Sequence, residues 1–297
     1  MKILIVGLVK NYHLQRMVEE GAKLSHEVSG CYAADLAINT DSVAFDIYIR
    51  GKKITNDFDL IYLWAIGKRR WEWYTACFYL NKTYGTKIVN HKAVDPGYNY
   101  YLTPASDYLK QFEEKVNFPR SIVAFSAKHL DEALKDFGFP LIIKRANGRQ
   151  GKGVYKITSK EQLLSVSKEI LDSDNSFVIR QFIPNDGDVR VFTVGYKAIG
   201  AMKRTPKQGE FRSNISQGGS GAAFDLDSNP QIREIAEKMS KITQTEIAGV
   251  DIIIDNNAGL PYVLEINPGP QFQGLETYTG VNAAGEIIKY FESLSQK

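Results

Sequence analysis

Cysteine is nearly absent: Cys31 and Cys77 are the only two in 297 residues, and they show neither CxxC spacing nor a paired framework. A disulfide-stapled secreted scaffold is excluded, and both thiols are expected to be packing residues in a reducing cytoplasm. Long apolar runs are missing too. The opening "MKILIVGLVK" is apolar only from Ile3 to Val9 and lacks a cleavage-site pattern, so it reads as a first buried strand rather than a signal or an anchor. Charge of one sign is scarce. A formal net charge of +3 demands neither nucleic acid nor an anionic membrane as partner. No repeat and no low-complexity tract stands out, and the length allows two or three compact units.

What is present is an alternation of strand and helix patterns. The stretches "KILIVGLV", the amphipathic "LQRMVEEGAKL", "AFDIYIRGKKI", "DLIYLWAI", a helix around Glu72 to Leu80, and "TKIVN" predict an α/β unit with a mostly parallel sheet. The loop "DPGYNYYLTPASD" marks a boundary. Beyond it come a helix from Asp107 to about Lys115, strands at "SIVAF" and "PLIIKRA", a helix capped by Thr158 or Ser159, and the strand "SFVIRQFI". The last third carries long strands at "DVRVFTV" and "KAIGAMKR", a helix with Asn229 as cap and Pro230 in its first turn, and a closing helix from Asn282. Three units are expected, spanning 1–93, 94–185 and 186–297.

The polar chemistry gathers late in the chain. "AGVDIIID" and "LPYVLEINPGPQF", separated by a turn at "NNAG", predict a hairpin. Strand residues alternate faces, so Glu265 and Asn267 point one way while Leu264 and Ile266 point the other. If Ile254 lies opposite Tyr262, Asp251 falls opposite Glu265. Three oxygen-bearing side chains on one face must be solvated, paired or bound to a cation. Two carboxylates and an amide suit a hard ion such as Mg²⁺; taken alone, the hairpin equally admits a polar face turned to water. Other stretches are similarly two-sided. "KRANGRQGKGV" sets Lys144 at a strand end before Gly148, Gly151 and Gly153, which is either a phosphate cradle or a flexible turn. "RQFIPNDGDVR" joins two strands as a hinge and leaves Asp188 and Arg190 on one face. "KRTPKQGEFRSN" supplies Lys203, Arg204, Lys207, Arg212 and Asn214, by itself a solvated basic loop, yet one that lies in sequence between the glycine loop and the carboxylate hairpin. "WAIGKRRWEWY", Trp64 to Tyr74, is either a docking surface for an acidic peptide or ring, or a helix with half-buried aromatics.

In their order and spacing, the strand-end lysine, glycine loop, hinge strand, "DVR", "FRSN", "GVDI" and "EINPGP" closely resemble the ATP-grasp superfamily. Within it they are most similar to the RimK-like carboxylate–amine ligases, the family of the ribosomal-protein glutamate ligase. The resemblance runs from about Phe139 to Phe291. It implies an α/β (α+β) ATP-grasp fold: an N-terminal α/β domain with a mostly parallel sheet, then two subdomains that clamp ATP between them. By position it implies that Lys144 contacts ATP phosphates beneath a lid holding Gly148, Gly151 and Gly153. Gln181, Phe182 and Ile183 would hold adenine, with Asp188 near the ribose. Arg190, Arg204, Arg212 and Asn214 would face the phosphates and the reacting carboxylate. Asp251, Glu265 and Asn267 would bind two Mg²⁺ ions, with Mn²⁺ an admissible substitute. One departure stands: where the family carries a further ATP-contacting lysine upstream of Phe118-Pro119, this sequence has Thr103-Pro104, and Lys110 is the candidate replacement. His91 and His129 are expected to be structural. The expected activity is ATP-dependent amide formation between a carboxylate and an amine, such as an amino acid, peptide or protein, with no membrane or nucleic-acid partner and self-association left open. A nucleotide-binding module without ligase activity would lose the metal ligands, all of which are present. A nucleic-acid binder would rest on "GKRRW" alone.

Overall fold

The structure is a computed structural model describing residues 1–95, 97, 104–126, 130, 134–135, 137–145, 153–171, 176–210 and 219–295. Strand β1 (Lys2–Val6) is buried on both faces, Ile3 and Ile5 in one hydrophobic cluster and Leu4 and Val6 in another. That is why its sequence is continuously apolar. It pairs in parallel with β2 (Glu27–Cys31) and with β6 (Leu60–Leu63), which pairs in parallel with β7 (Lys87–Val89). Helix α1 (Tyr12–Lys23) connects β1 to β2, and Asn11 caps it by accepting the Leu14 N–H at 2.9 Å. Helix α2 (Arg70–Tyr84) connects β6 to β7.

Two features depart from the sequence reading. "AFDIYIRGKKI" is not one strand of this sheet. It is a hairpin of β4 (Phe45–Ile49) and β5 (Lys52–Ile54), which with β3 (Leu36–Thr40) makes a separate antiparallel sheet. Its two-residue turn has φ of 53° at Arg50 and 76° at Gly51, the positive pair that matches strand twist. Strand β2 was missed because it lies at a sheet edge and buries only Val28 and Cys31, so no alternation announces it. Cys31 and Cys77 are free thiols buried in one cluster, as expected of packing residues.

Two antiparallel sheets follow. The first contains β8 (Ser121–Ala124), β9 (Leu141–Arg145), β10 (Val154–Ile157) and β11 (Phe177–Gln181) in the order β10-β9-β11-β8. Helix α3 (Pro104–Glu113) precedes it, and α4 (Lys160–Leu171) follows β10, with Ser159 Oγ accepting the Gln162 N–H at 3.2 Å. The second contains β12 (Asp188–Val194), β13 (Lys197–Thr205), β14 (Ser220–Ala223), β15 (Ile247–Ile254) and β16 (Pro261–Asn267), in the order β14-β13-β12-β15-β16. Helix α5 (Pro230–Ile242) packs Ile232, Ala236 and Met239 against Val191, Val250 and Ile252 of this sheet. Asn229 does not cap it through its side chain; Nδ2 instead donates to the Asp225 carbonyl at 2.8 Å. Helices α6 (Gln273–Thr279) and α7 (Ala283–Ser295) complete the chain's described elements. Ile287, Ile288 and Phe291 of α7 share one core with Ile3, Ile5 and Met17. Among the described residues no helix is long and apolar enough to cross a membrane.

Hydrogen bonds lock the parallel sheet to the five-stranded one. Asn90, just after β7, accepts the Ile247 N–H at 3.0 Å and donates to the Pro268 carbonyl at 3.0 Å, which also receives the Tyr62 hydroxyl at 2.8 Å. Gly269 is required here because a Cβ would lie 2.0 Å from the Trp64 carbonyl oxygen. Buried Glu246 accepts the His91 N–H with both carboxylate oxygens, at 2.8 and 3.0 Å. Burial nevertheless raises its carboxyl from 4.5 to about 7. The folded state therefore binds a proton that the unfolded chain has lost. The contribution is complete below pH 4.5 and disappears as pH rises through about 7. Glu246→Gln should remove this share of the decline, seen as a flatter profile of unfolding midpoints from urea melts stepped across that window. A profile with the wild-type slope would contradict it.

Candidate active site

Asp251 organises the polar face of the five-stranded sheet. On β15 it lies in register with Arg190 of β12 on one side and Glu265 of β16 on the other. The route to that register is not the expected one. Ile254 faces Pro261 and Ile253 faces Tyr262, one residue off the pairing anticipated from sequence, and a bulge at Leu264 restores Asp251 opposite Glu265. The extra residue offers its carbonyl to Arg180 of β11, whose guanidinium donates to it at 2.9 Å and to the Tyr108 hydroxyl at 2.7 Å. Asn267 sits two residues beyond Glu265 on the same face. Its Nδ2 lies 3.2 Å from Glu265 Oε1 and 3.4 Å from Asp251 Oδ2. The three oxygen-bearing groups thus converge as the hairpin predicted.

Arginines, not water, meet Asp251. Arg190 grips it with Nε and a terminal nitrogen, both at 2.6 Å, and Arg204 of β13 reaches the same carboxylate at 3.0 Å. Arg204 also pairs with Asp188, Nε to Oδ1 at 2.7 Å, in the β12–β13 register. Asp188, expected near a ribose, therefore commits both oxygens to Arg204, and its geometry gives it the job of holding that guanidinium. Burial would push the Asp251 carboxyl up, but the Arg190 and Arg204 charges outweigh it and hold the group at about 2.

Lys144, at the end of β9, brings the four-stranded sheet to this face with Nζ 3.6 Å from Glu265 Oε2. Gly153 stands just ahead of β10 with φ of 75°, and a Cβ there would press within 3.0 Å of the Arg145 side chain. Gln181 ends β11 with its N–H donated to the Arg120 carbonyl at 2.9 Å. Phe182 lies under the Lys156 ammonium at 4.0 Å, and the Ile183 carbonyl accepts the Asn185 side chain at 2.7 Å. Two of the backbone groups available to an adenine are thus already engaged. Lys110 lies 3.3 Å from Glu113 on its own helix. Gly148, Gly151, Arg212, Asn214, Thr103 and His129 lie outside the described residues.

A cleft of about 820 Å³ opens beside the hairpin; Glu265, Asn267, Arg190 and Arg204 line it together with Trp64, Arg70, Tyr74 and Lys92. The aromatic–basic stretch Trp64 to Tyr74 thus belongs to the same cleft as the carboxylates. Sequence reasoning left that stretch open between a docking surface and a helix with half-buried aromatics, and missed Lys92, which sits in a 3-10 turn with no periodic signal. It also missed Asp107, whose carboxyl burial raises to about 6 against the charges of Lys92 and Lys144. For a divalent cation, the half-exposed Glu265 carboxylate and the Asn267 amide oxygen are available donors. Asp251 could join only by sharing an oxygen with its arginines. Among the described residues no cluster of three His, Cys, Asp or Glu side chains stands ready as a metal cage.

Two solved structures share this architecture across almost the whole chain. The ATP-grasp ligase PsnB, complexed with a minimal precursor, matches with a TM-score of 0.71 at 17% identity and covers 99% of both chains. The D-alanine–D-alanine ligase from Bacillus anthracis, complexed with ATP, matches with a TM-score of 0.69 at 16% identity, over 100% of this chain and 97% of its own. The fold is that of ATP-grasp ligases. The RimK-like ATP-grasp domain matches residues 108–291. A probable alpha-L-glutamate ligase of Thioalkalivibrio sulfidiphilus (strain HL-EbGR7) is 30% identical over 300 residues, 98% of this chain and 95% of that protein. One of Legionella pneumophila (strain Corby) is 40% identical over 157 residues, 52% of this chain and 51% of its own. The chain belongs to the RimK-like ATP-grasp family and is a ligase enzyme.

Removing the Asp251 charge tests the site's frame. Asp251→Asn leaves two guanidiniums facing a neutral amide in a buried setting, so stability should fall by about 3–5 kcal/mol, read from denaturant melts. In the wild type, the contribution of this carboxylate is present above its ordinary 3.8 and is lost as pH falls toward about 2. A variant as stable as wild type would show that the arginines do not need this anion.

Proposed function

We propose that the chain is an ATP-dependent carboxylate–amine ligase that makes an amide through an acyl phosphate and releases ADP and phosphate, with an amino acid such as glutamate as one substrate. The observation that carries this reading is the cleft that Glu265, Asn267, Arg190 and Arg204 line together. In this reading residues 1–93, 94–185 and 186–297 act as three units in a cytoplasmic enzyme. Lys144 steadies the transferring phosphoryl group, with Gly148, Gly151 and Gly153 in the loop above it. Gln181, Phe182 and Ile183 border the adenine.

A substrate carboxylate oxygen bonds to the γ-phosphorus as ADP leaves. Arg190, with Arg212 and Asn214, faces the charge that builds on the equatorial oxygens. The amine nitrogen then bonds to the acyl carbon and phosphate departs, with Arg190 or Arg204 stabilising the oxyanion. Asp251 and Asp188 keep both guanidiniums fixed in advance, so little reorganisation is needed as charge develops. Glu265 and Asn267 would hold Mg²⁺, with Mn²⁺ as substitute and Asp251 sharing an oxygen if two ions bind; the bound ion would neutralise phosphate charge.

The reading is tested by incubating the protein with ATP, Mg²⁺ and pools of amino acids and peptides, following ADP release and new amide masses. Absence of both would overturn it. Glu265→Gln should reduce turnover on the order of a hundredfold. Its half-exposed pairing with Lys144 is worth no more than about 1 kcal/mol, so the metal-free melting curve should scarcely move. Normal turnover in this variant would remove Glu265 from the site.

A further inference from the structure

The turn after β7 is clamped onto the start of β15 by a run of polar contacts. Asn90 Oδ1 accepts the Ile247 N–H at 3.0 Å, both Glu246 oxygens accept the His91 N–H, and Lys92 Nζ donates to Thr245 Oγ1 at 2.8 Å. Gln244 continues the run by donating to Asp95 at 2.8 Å. The same turn reaches the cleft, which Asn90, Lys92 and Ala93 line with Arg190, Arg204 and Glu265. Glu246 is buried and is not one of the lining residues. Among the described residues, Lys92 is the cation whose charge acts on Glu246. Tyr62 of β6, Tyr196 between β12 and β13, and Tyr290 of α7 also feel the Glu246 charge. Burial lowers the Lys92 ammonium, while the charges of Asp107 and Glu246 support it, and Asp107 faces the charge of Lys144 as well.

We propose that Glu246 is a positioning residue that sets, through Lys92, how tightly the cleft holds a phosphoryl anion: ionised, it offsets the ammonium, and protonated, it releases that charge to the cleft. This rests on the ligase reading above, which puts phosphoryl groups in the cleft, and adds to it a control by protons. Two links carry the effect. One is a hydrogen bond, because the carboxylate holds the backbone N–H of the residue just before Lys92. The other is charge, because an anion beside the ammonium shrinks the net field that a second anion meets. Burial brings the Glu246 carboxyl to about 7, so it is partly protonated near neutral pH. An anion in the cleft favours the form carrying that proton. Well below this value Glu246 is neutral with or without the anion and affinity is full; as pH rises through it, the empty protein ionises first and affinity falls.

The test measures the affinity of the full chain for a non-hydrolysable ATP analogue with Mg²⁺, by calorimetry, from about pH 6 to about pH 8. The analogue's own titration is common to every variant, so the readout is the ratio of wild-type to variant dissociation constants. Glu246→Gln keeps an oxygen for the His91 N–H but cannot ionise. That ratio should stand near unity at the acid end and climb roughly fivefold or more by the alkaline end. In a Lys92→Met background the same substitution should leave the ratio flat. A flat ratio with Lys92 present overturns the proposal and leaves Glu246 a structural residue. A ratio that climbs as steeply without Lys92 also overturns it, since Lys92 is then not the route. Should Glu246→Gln fail to fold, wild type against Lys92→Met decides alone: the gap in affinity must shrink as pH rises, and a constant gap overturns the proposal. No binding of the analogue at any pH sinks the ligase reading and the proposal with it, whereas binding with a flat ratio sinks only the proposal.

Discussion

The polar face of the five-stranded sheet is arranged around a buried anion that two cations share. Asp251 has almost no contact with solvent, and it is tolerable there only because Arg190 and Arg204 enclose it. The arrangement spans three strands: Asp188 and Arg190 two apart on β12, Arg204 across on β13, Asp251 across on β15. Each charge touches one of opposite sign: Arg204 bridges Asp188 and Asp251, and Asp251 bridges Arg204 and Arg190. The same ladder holds both guanidiniums where they line the cleft.

The contact between Lys144 and Glu265 is of the opposite kind. It is longer, 3.6 Å, and the Glu265 side chain is about half exposed. Such a pair contributes little to stability. The firm joints between the two antiparallel sheets lie elsewhere. Arg180 reaches the Leu264 carbonyl, and the Asn117 and Pro184 carbonyls accept the Val263 and Asn256 N–H groups at 2.9 Å. Rigid attachment and exchangeable contact are thus assigned to different residues.

Much of this was legible in the sequence, and the reasons are local. Alternation put Glu265 and Asn267 on one face, and a long apolar strand placed Asp251 among them. Ser159, one of the two cap candidates, caps its helix through its own side chain, and the closing helix starts beside Asn282, whose Oδ1 accepts the Gly285 N–H. What stayed hidden depended on distant chain. A one-residue bulge cannot be counted from hydropathy, and here it happened to bring Asp251 to the expected partner by another register. Asn229 looked like a cap, but a nearby carbonyl competed for its amide. Lys92 and Arg70 carry no pattern of their own, and only the fold brings them to the cleft that Glu265 also lines. Gly269 was quoted for its motif, yet its necessity lies in a carbonyl of Trp64, some two hundred positions earlier in the chain.

Helix α7 covers the same face of the parallel sheet that β1 presents, with Phe291 and Ile287 in one core with Ile3, Ile5 and Leu60. On a ribosome, residues near the start of the chain therefore emerge long before the helix that shields them. Until then that sheet face is an open apolar surface, and contacts of such sequence separation form slowly. A chain halted before α7 would hold its first strand with one face short of Ile287, Ile288 and Phe291.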